Sequence, residues 1–400
     1  MEFQRTLDLH KVRSSCFLFG PRMTGKTHLL RRLKAALFID LLDPDLELNL
    51  SRSPKDFWEQ LKALRKGDLV IVDEVQRVPV LLDYVQKGIE EINLKFILSG
   101  SSARKLCRGG ANLLGGRALD LRLHPLTHTE AGKEFNVEDA LAYGTLPRVF
   151  STLMEGDEQG VRQQLKAYGT VYIKEEVQAE ALTRNIGAFQ RFLSVAAQMN
   201  GQTLEFASVA RDAAVPASTV KEYFTILEDT LLGAFLWPWD RSERKKARPK
   251  FYFFDCGVAR SLQNRLVDPP TPAEKGHLFE TFFYNELKRL RDYHEKPDEF
   301  SFWREGNYEV DVLVSGPRGP RMAFECKTSS ETISDAALAA FRRRFPSVPL
   351  YIVSLKDLHP RKMDNGVTGL PWRQALDAFL IKQSTTLFYH DKICQFGRIL

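Results

Sequence analysis

CFLFGPRMTGKTHLLRRL, residues 16–33, joins a short apolar run to a helical pattern through a loop that contains two glycines. The run at 16–20 has strand character, and the leucines that follow at 29, 30, 33 and 37 have helical spacing. The loop between them, GPRMTGKT at 20–27, fits the pattern GxxxxGK(S/T) in the strand–loop–helix context that this pattern requires. The sequence therefore predicts a phosphate-binding loop.

The loop predicts contacts with ATP and Mg²⁺. Gly20 and Gly25 allow the backbone to curl so that successive N–H groups face the phosphates, and the following helix adds its positive N-terminal end. Lys26 is expected to reach the β- and γ-phosphates, and Thr27 to hold Mg²⁺ through its hydroxyl. The expected nucleotide-binding residues of the loop are Gly20, Pro21, Arg22, Met23, Thr24, Gly25, Lys26, Thr27 and His28.

Two further apolar runs end in polar residues. The run LVIV at 69–72 is followed by Asp73 and Glu74, of which the first can bind Mg²⁺ and the second can polarise the attacking water. The alternative is a strand that simply meets its solvated turn. The run KFILSGSS at 95–102 offers Ser99 or Ser101 as a sensor of the γ-phosphate, with a capping or turn serine as the alternative.

Five segments occur in a recognisable order: GPRMTGKT, LVIVDEVQRVP, FILSGSSARKL, GGR at 115–117 and LHPLTHTE at 123–130. In this respect the sequence resembles, over nearly its whole length, the prokaryotic AAA-type ATPases that carry a C-terminal domain of unknown function. The resemblance implies Arg117 as a candidate contact of the γ-phosphate, in cis or from a neighbouring subunit. Because AAA-type cores often need a neighbour's arginine, it also implies a homo-oligomer. The alternative for Arg117 is a surface or structural residue.

The middle of the chain has mostly helical patterns. Residues 201–255 contain two short helical patterns and then strands around 232–237 and 250–254, an order typical of a winged helix-turn-helix. Lys221 falls near the exposed start of its second helix. The proposed wing carries a run of cations that could neutralise DNA phosphates, namely Arg241, Arg244, Lys245, Lys246, Arg248 and Lys250. A solvated hairpin loop or a protein-packing module are the alternatives.

The last third combines a helix with several strands. GHLFETFFYNELKRLRDY at 276–293 is an amphipathic helix with Glu280 on the flank of its apolar stripe. In YEVDVLVS, alternation predicts the valines at 310, 312 and 314 on one face and the residues at 309, 311 and 313 on the other. Glu325 and Lys327 share a face of the next strand. If the strands pair, Asp311, Glu325 and Lys327 converge, and two carboxylates there can hold a divalent metal while Lys327 orients or deprotonates water.

The order Glu280, Asp311, Glu325-x-Lys327 on helix, strand and strand resembles the PD-(D/E)XK nuclease fold, although Val310 stands where that family often has proline. The resemblance implies these four residues as catalytic, with Asp311 and Glu325 as the metal ligands. Two alternatives remain open: the domain keeps the fold but only binds DNA or packs against the ATPase, or Asp311 is a surface residue beside an ordinary ion pair.

We therefore expect an α/β protein made of a P-loop AAA-type core with a helical lid, a winged helix-turn-helix and a C-terminal PD-(D/E)XK-like α/β domain. The expected divisions are a core at 1–135, a lid or spacer at 136–200, a winged helix at 201–255, a nuclease-like domain at 256–382 and a tail at 383–400. A length of 400 residues with 44% hydrophobic residues can bury several cores.

Composition limits the location and partners. A net charge of +6 favours polyanions only weakly, the five cysteines show no metal-ligand spacing, and no apolar stretch is long enough to cross a membrane. We expect a soluble cytoplasmic protein that hydrolyses ATP and acts on DNA, with Mg²⁺-dependent cleavage in the C-terminal domain as a further expectation. The alternatives are an ATP-operated signalling or defence switch whose C-terminal domain binds without cleaving, and a plain DNA-binding regulator.

Overall fold

The computed structural model describes residues 2–101, 118–173, 185–239, 248–329 and 333–381. Its three parts follow one another along the chain: a parallel sheet with helices, a helical region with one hairpin, and a mixed sheet with helices. No helix in these ranges is both long and apolar enough to cross a bilayer.

The first part is a five-stranded parallel sheet with strand order β2-β3-β4-β1-β5. Its strands are β1 Ser15–Phe19, β2 Leu37–Asp40, β3 Leu69–Asp73, β4 Lys95–Gly100 and β5 Ala118–Arg122. Its helices are α1 Lys26–Arg31, α2 Pro44–Arg52, α3 Pro54–Lys62 and α4 Leu81–Lys87. The central strands are apolar on both faces because helices cover both, which is typical of parallel sheets. The parallel sheet predicted around the loop is confirmed.

Helix α1 is shorter than its leucine spacing predicted. It ends at Arg31, and Leu37 begins β2 instead of completing the helical stripe. The backbone N–H of Ala36 donates to Leu69 O at 2.8 Å, and Leu37 pairs with Val70. This segment therefore pairs with β3 as a strand and does not continue the helix.

The second part is mainly helical. Its helices are α5 His128–Ala131, α6 Val137–Tyr143, α7 Pro147–Met154, α8 Glu158–Ala167, α9 Ile186–Gln198, α10 Phe206–Ala213, α11 Ala217–Asp229 and α12 Cys256–Leu262. Strands β6 Gly233–Leu236 and β7 Lys250–Phe253 form an antiparallel hairpin between the last two helices. Helices α10 and α11 followed by this hairpin have the predicted order of elements, and the assignment as a winged helix stays a prediction.

The third part is a six-stranded mixed sheet with order β12-β13-β11-β10-β9-β8. Its strands are β8 Glu299–Glu305, β9 Tyr308–Gly316, β10 Gly319–Lys327, β11 Leu350–Ser354, β12 Arg361–Lys362 and β13 Thr368–Pro371. Helices α13 Pro272–Tyr293 and α15 Trp372–Leu380 pack on one face, and α14 Asp335–Arg344 packs on the other. Helix α13, with 22 residues, is about 33 Å long.

A β-bulge in β9 corrects one prediction. Ser301 pairs with Leu313 but Trp303 pairs with Val310, so two residues of β9 lie opposite the single Phe302. Beyond this bulge the alternation shifts by one residue: Val310 packs with Leu313 on the α14 side, and the valines at 312 and 314 pack on the α13 side. The predicted grouping of the three valines on one face is therefore wrong, because a bulge redirects the side chains that follow it.

The hydrophobic cores cross two of the expected divisions. Phe135, Leu141 and Phe150 share a cluster with the phenylalanines of α13 and with Trp372 of α15. Helix α12, which was expected to open the C-terminal domain, instead packs against α6 and α8. The first helices of the middle region are therefore built onto the C-terminal sheet domain.

Candidate functional site

The phosphate loop follows β1 and depends on both of its glycines. A Cβ at Gly20 would lie 2.3 Å from the backbone oxygen of Leu123, so no larger residue fits. Gly25 has φ 94° and Met23 has φ 64°, both in the left-handed region that favours glycine. Met23 also packs against the core of the middle helices. The loop is thus a tight curl held from two sides.

Lys26 is folded back into the loop. Its side chain is buried, and Nζ donates to Gly20 O at 2.8 Å and to Pro21 O at 3.2 Å. The hydroxyl of Thr24 donates to Pro21 O at 2.9 Å and closes the same turn. His28 lies on the exposed rim, with Nε2 3.9 Å from Glu2. These contacts place one ammonium group inside the curl, where phosphate oxygens would be met.

Asp73 lies at the carboxyl end of β3, two strands from β1. It is fully buried, and the hydroxyl of Ser99 donates to its Oδ1. Burial raises the pKa of Asp73, and hydrogen bonds with the neighbouring Ser99 and Thr27 hydroxyls only partly offset this. Its Oδ2 has no hydrogen-bond partner within the described part of the chain. A buried carboxylate oxygen without a partner, beside the hydroxyl of Thr27, is a donor set that fits Mg²⁺.

Glu74 has an unusual backbone. Its φ of 58° is in the left-handed region, which costs a non-glycine residue about 1–2 kcal/mol. Two contacts hold it there: its N–H donates to Ser99 Oγ at 3.2 Å, and its carboxylate accepts from the amide of Gln76. Ser99 therefore contacts both acidic residues. Backbone strain of the kind found at Glu74 is concentrated at functional sites.

Ser101 has a different position from Ser99. It is buried and lines a small cavity of about 10 Å³ together with Pro21, Arg22 and Tyr168. The hydroxyl of Tyr168 donates to Arg22 O at 3.4 Å. The structure therefore brings both predicted serines to the loop side of the sheet, and their role towards a γ-phosphate stays a prediction.

A cleft of about 460 Å³ opens beside the loop. It is lined by Phe3, Gly25, His28, Pro147, Arg148 and Ser151, so that the N-terminal segment and α7 form its walls. Its volume lies in the range of small-molecule sites. Sequence reasoning missed the residues of the N-terminal segment and α7, because neither segment carries a motif and α7 lies far from the loop along the chain.

Arg5 connects the loop to the C-terminal part. Its buried guanidinium donates to Thr24 O at 2.8 Å, His124 O at 2.6 Å, Glu130 Oε1 at 3.1 Å and the hydroxyl of Tyr293 at 3.1 Å. Tyr293 is the last residue of α13. A single side chain therefore joins the phosphate loop to the long helix of the C-terminal domain.

A second set of charged residues lies at the other end of α13. Glu280, Asp311 and Glu325 are buried, and they converge from α13, β9 and β10. The backbone N–H of Asp311 donates to Glu325 Oε2 at 3.3 Å, and Lys327 Nζ lies 2.9 Å from Glu325 Oε1. The four residues predicted from the nuclease resemblance are thus close together.

Lys250 is the unexpected member of this acidic cluster. Its Nζ lies 2.6 Å from Glu280 Oε1, 2.7 Å from Glu309 Oε1 and 3.4 Å from Asp311 Oδ1. Burial disfavours the charged amine, but the three carboxylates more than compensate and raise the pKa of Lys250. Its side chain is only 4% exposed, so the prediction that it contributes to a cationic wing surface is wrong. Local sequence gave no signal for this contact.

The carboxylates of the cluster are strongly affected by one another. Burial, and then repulsion by Asp311, raises the pKa of both Glu280 and Glu325. In this arrangement the cluster does not fit a divalent metal, because the ammonium of Lys250 occupies the space between Glu280 and Asp311. No group of three His, Cys, Asp or Glu side chains in the described ranges is arranged to hold a metal ion.

Most of the predicted DNA-binding residues fall outside the described ranges. These are Arg241, Arg244, Lys245 and Lys246, and the γ-phosphate candidate Arg117 also lies there. Lys221 is exposed on α11, and Arg248 is exposed and pairs with Glu205 at 3.0 Å. The structure thus describes two of the predicted DNA contacts, and both are exposed.

The loop, the Asp–Glu pair after β3 and the parallel sheet define a P-loop nucleotide-binding domain. Residues 12–132 match the family model described as "AAA domain", which supports an AAA-type P-loop ATPase domain in this part of the chain. Residues 134–268 and 275–374 match two models described as domains of unknown function, DUF8612 and DUF4143.

Two curated relatives are described as uncharacterized proteins, one from Mycobacterium bovis and one from Mycobacterium tuberculosis. Each is 26% identical over 373 residues, which is 90% of this chain and 80% of the relative.

Two solved structures are weakly similar. The Aeropyrum pernix ORC1 protein in complex with DNA matches over 66% of this chain and 88% of its own, with 14% identity and a TM-score of 0.31. The replication initiator DnaA bound to AMPPCP and single-stranded DNA matches over 55% and 84%, with 14% identity and a TM-score of 0.30. Likeness at this level carries no argument about what this chain binds.

Proposed function

We propose that this protein binds and hydrolyses ATP at the phosphate loop and uses its nucleotide state to control the C-terminal domain, with DNA as the partner. The observation that carries this proposal is the set of hydrogen bonds of Arg5, which joins Thr24 of the loop to Tyr293 of α13. Since Arg5 is buried, a change in the loop backbone is passed on and not absorbed by solvent.

The chemistry at the loop is assigned residue by residue. Lys26 exchanges its bonds to Gly20 and Pro21 for phosphate oxygens, and the N–H groups of the curl bind the same anion. Glu74 orients and deprotonates the attacking water, with its carboxylate positioned by Gln76. Thr27 and Asp73 would hold Mg²⁺, which would supply positive charge against the phosphate oxygens.

The route to the C-terminal domain runs along α13. Tyr293 and Glu280 stand on the same helix, about 20 Å apart at the helical rise. Between them, Glu286 accepts from His128 at 2.6 Å, so the helix is also fixed to the segment that follows the ATPase sheet. Because α13 is fixed by its contacts with Arg5 and His128, we infer that it moves as a rigid body. Such a movement would link the phosphate loop to the acidic cluster.

DNA is proposed as the partner from charge. The chain carries a net charge of +6, and, leaving aside the buried Lys250, five of the eight residues at 241–248 are Arg or Lys. Cations spaced this closely suit a phosphate backbone. ATP hydrolysis that is stimulated by added DNA would support this partner. A hydrolysis rate that does not change with DNA would favour the signalling or defence switch.

Replacing Glu74 by glutamine tests the hydrolytic assignment. The amide keeps the hydrogen bond from Gln76 but cannot take a proton, so we expect ATP affinity to be kept while hydrolysis falls about 100-fold. Calorimetry gives the affinity and phosphate release gives the rate. Glu91→Gln, on the exposed surface, is the matched control. Hydrolysis at the parent rate in Glu74→Gln would remove Glu74 from the reaction.

A nuclease is the second candidate, favoured by the convergence of Glu280, Asp311, Glu325 and Lys327, and it requires that Lys250 leave the place of the metal ion. Its test is cleavage of labelled duplex, single-stranded and branched DNA with Mg²⁺ or Mn²⁺, with and without ATP, in the parent and in Asp311→Ala. We expect any cleavage to disappear in the variant, because Asp311 lies at the centre of the cluster. Cleavage that persists in Asp311→Ala excludes this site, and no cleavage by either protein leaves a C-terminal domain that binds only.

A further inference from the structure

Lys250 does not belong to the sheet that carries the acidic cluster. It begins β7, in the hairpin that follows the helices of the middle region, whereas its partners lie on α13 and β9. Tyr252, two residues later on the same strand, also donates to Glu280. The hairpin therefore contributes both a cation and a hydroxyl donor to the cluster.

Lys250 is a main source of positive charge in the cluster. Four carboxylates meet here, those of Glu280, Glu309, Asp311 and Glu325, and in the described ranges Lys327 and Arg304 also contact members of this set. Removing the ammonium would take away the cation that contacts both Glu280 and Asp311 within the described part of the chain. Buried carboxylates in that condition take up either protons or another cation.

We propose that Lys250 is the resident cation of this cluster and excludes a divalent metal ion from it while the β6–β7 hairpin is docked. The ammonium group bonds to the oxygens of Glu280 and Asp311 that a metal ion would need, so the two cations compete for the same place. The affinity of the C-terminal domain for divalent metal is thus set by a residue of the preceding domain.

The hairpin is held in place by contacts that do not involve the cluster. Trp239 N donates to Phe302 O at 2.8 Å, and Phe302 N donates to Trp237 O at 3.1 Å, which adds this segment to the edge of β8. The Trp239 ring packs edge-on against Phe345 at 5.0 Å. These contacts offer a way to loosen the hairpin while Lys250 and all carboxylates remain.

The experiment is Mn²⁺ binding to the full chain without nucleotide, followed by electron paramagnetic resonance. We expect Lys250→Met to bind one Mn²⁺ about tenfold or more tightly than the parent, because a competing charge has been removed. The double variant Lys250→Met/Asp311→Asn should lose that ion. Lys275→Met, which removes a partly exposed ion pair of α13, should behave like the parent.

Loosening the hairpin gives an independent readout if Lys250→Met does not fold. Trp239→Ala should raise the Asp311-dependent affinity for Mn²⁺ with Lys250 present, and Mn²⁺ should raise the melting temperature of this variant more than that of the parent. Asp311-dependent Mn²⁺ binding by the parent as tight as in both variants would overturn the proposal. ATP hydrolysis, measured on the same samples, reports separately on the function proposed for the phosphate loop.

Discussion

Replacing Lys26 by alanine is expected to reduce ATP hydrolysis about 1000-fold, to the background level. The ammonium group is already inside the loop, bonded to Gly20 O and Pro21 O, and no other lysine or arginine belongs to the curl besides Arg22. Its loss removes the charge that meets the β- and γ-phosphates both in the bound state and during transfer. Affinity for ATP and the hydrolysis rate should therefore both fall, and phosphate release with a nucleotide-binding titration measures them.

The matched control for Lys26→Ala is Lys34→Ala, an exposed lysine shortly after α1. It should hydrolyse ATP at the parent rate. Unchanged hydrolysis in Lys26→Ala would remove the phosphate loop from the reaction, and equal losses in both variants would point to a general effect of charge.

Replacing Arg289 by methionine is expected to destabilise the protein by about 3–5 kcal/mol, the usual result of removing one member of a buried ion pair. Arg289 lies in α13 with its side chain 4% exposed. It donates to Leu126 O, Phe254 O, Thr145 Oγ1 and Glu286 Oε1 at 2.9 to 3.1 Å. Methionine fills similar space but leaves four acceptors without this donor. Urea unfolding followed by circular dichroism measures the shift in midpoint.

Arg343→Met is the control for Arg289→Met. Arg343 is exposed on α14 and pairs with Glu305 at 2.8 Å, and exposed pairs contribute only about 0–1 kcal/mol. The two variants should differ clearly in midpoint. Equal midpoints would mean that the buried network of Arg289 contributes no more than a surface pair.

The nucleotide site could be predicted because its residues are encoded in short segments. The loop at 20–27 and the pair Asp73–Glu74 each follow an apolar run, and parallel strands bring their carboxyl ends to one edge. The approach of Ser99 to Asp73 follows from the same rule, since β4 lies between β3 and β1. The convergence of Asp311 and Glu325 needed only the pairing of β9 with β10.

Arg5 and Lys250 could not be predicted from local patterns. Arg5 is 288 residues from Tyr293 along the chain, and Lys250 is 61 residues from Asp311. Nothing in the neighbouring sequence distinguishes a lysine that enters a buried cluster from one in a solvated loop. The change of side-chain face between Val310 and Val312 could not be predicted for a different reason. An extra residue in a strand leaves the alternation of residue types in the sequence unchanged.

The shared core of the middle and C-terminal regions limits how this chain can have changed over time. Phe135, Leu141 and Phe150 face the phenylalanines of α13 in one cluster, so a substitution on either side alters the shape that the other must fit. The C-terminal domain is therefore not an independent unit. Without helices α6 and α7 it would expose an apolar face to solvent.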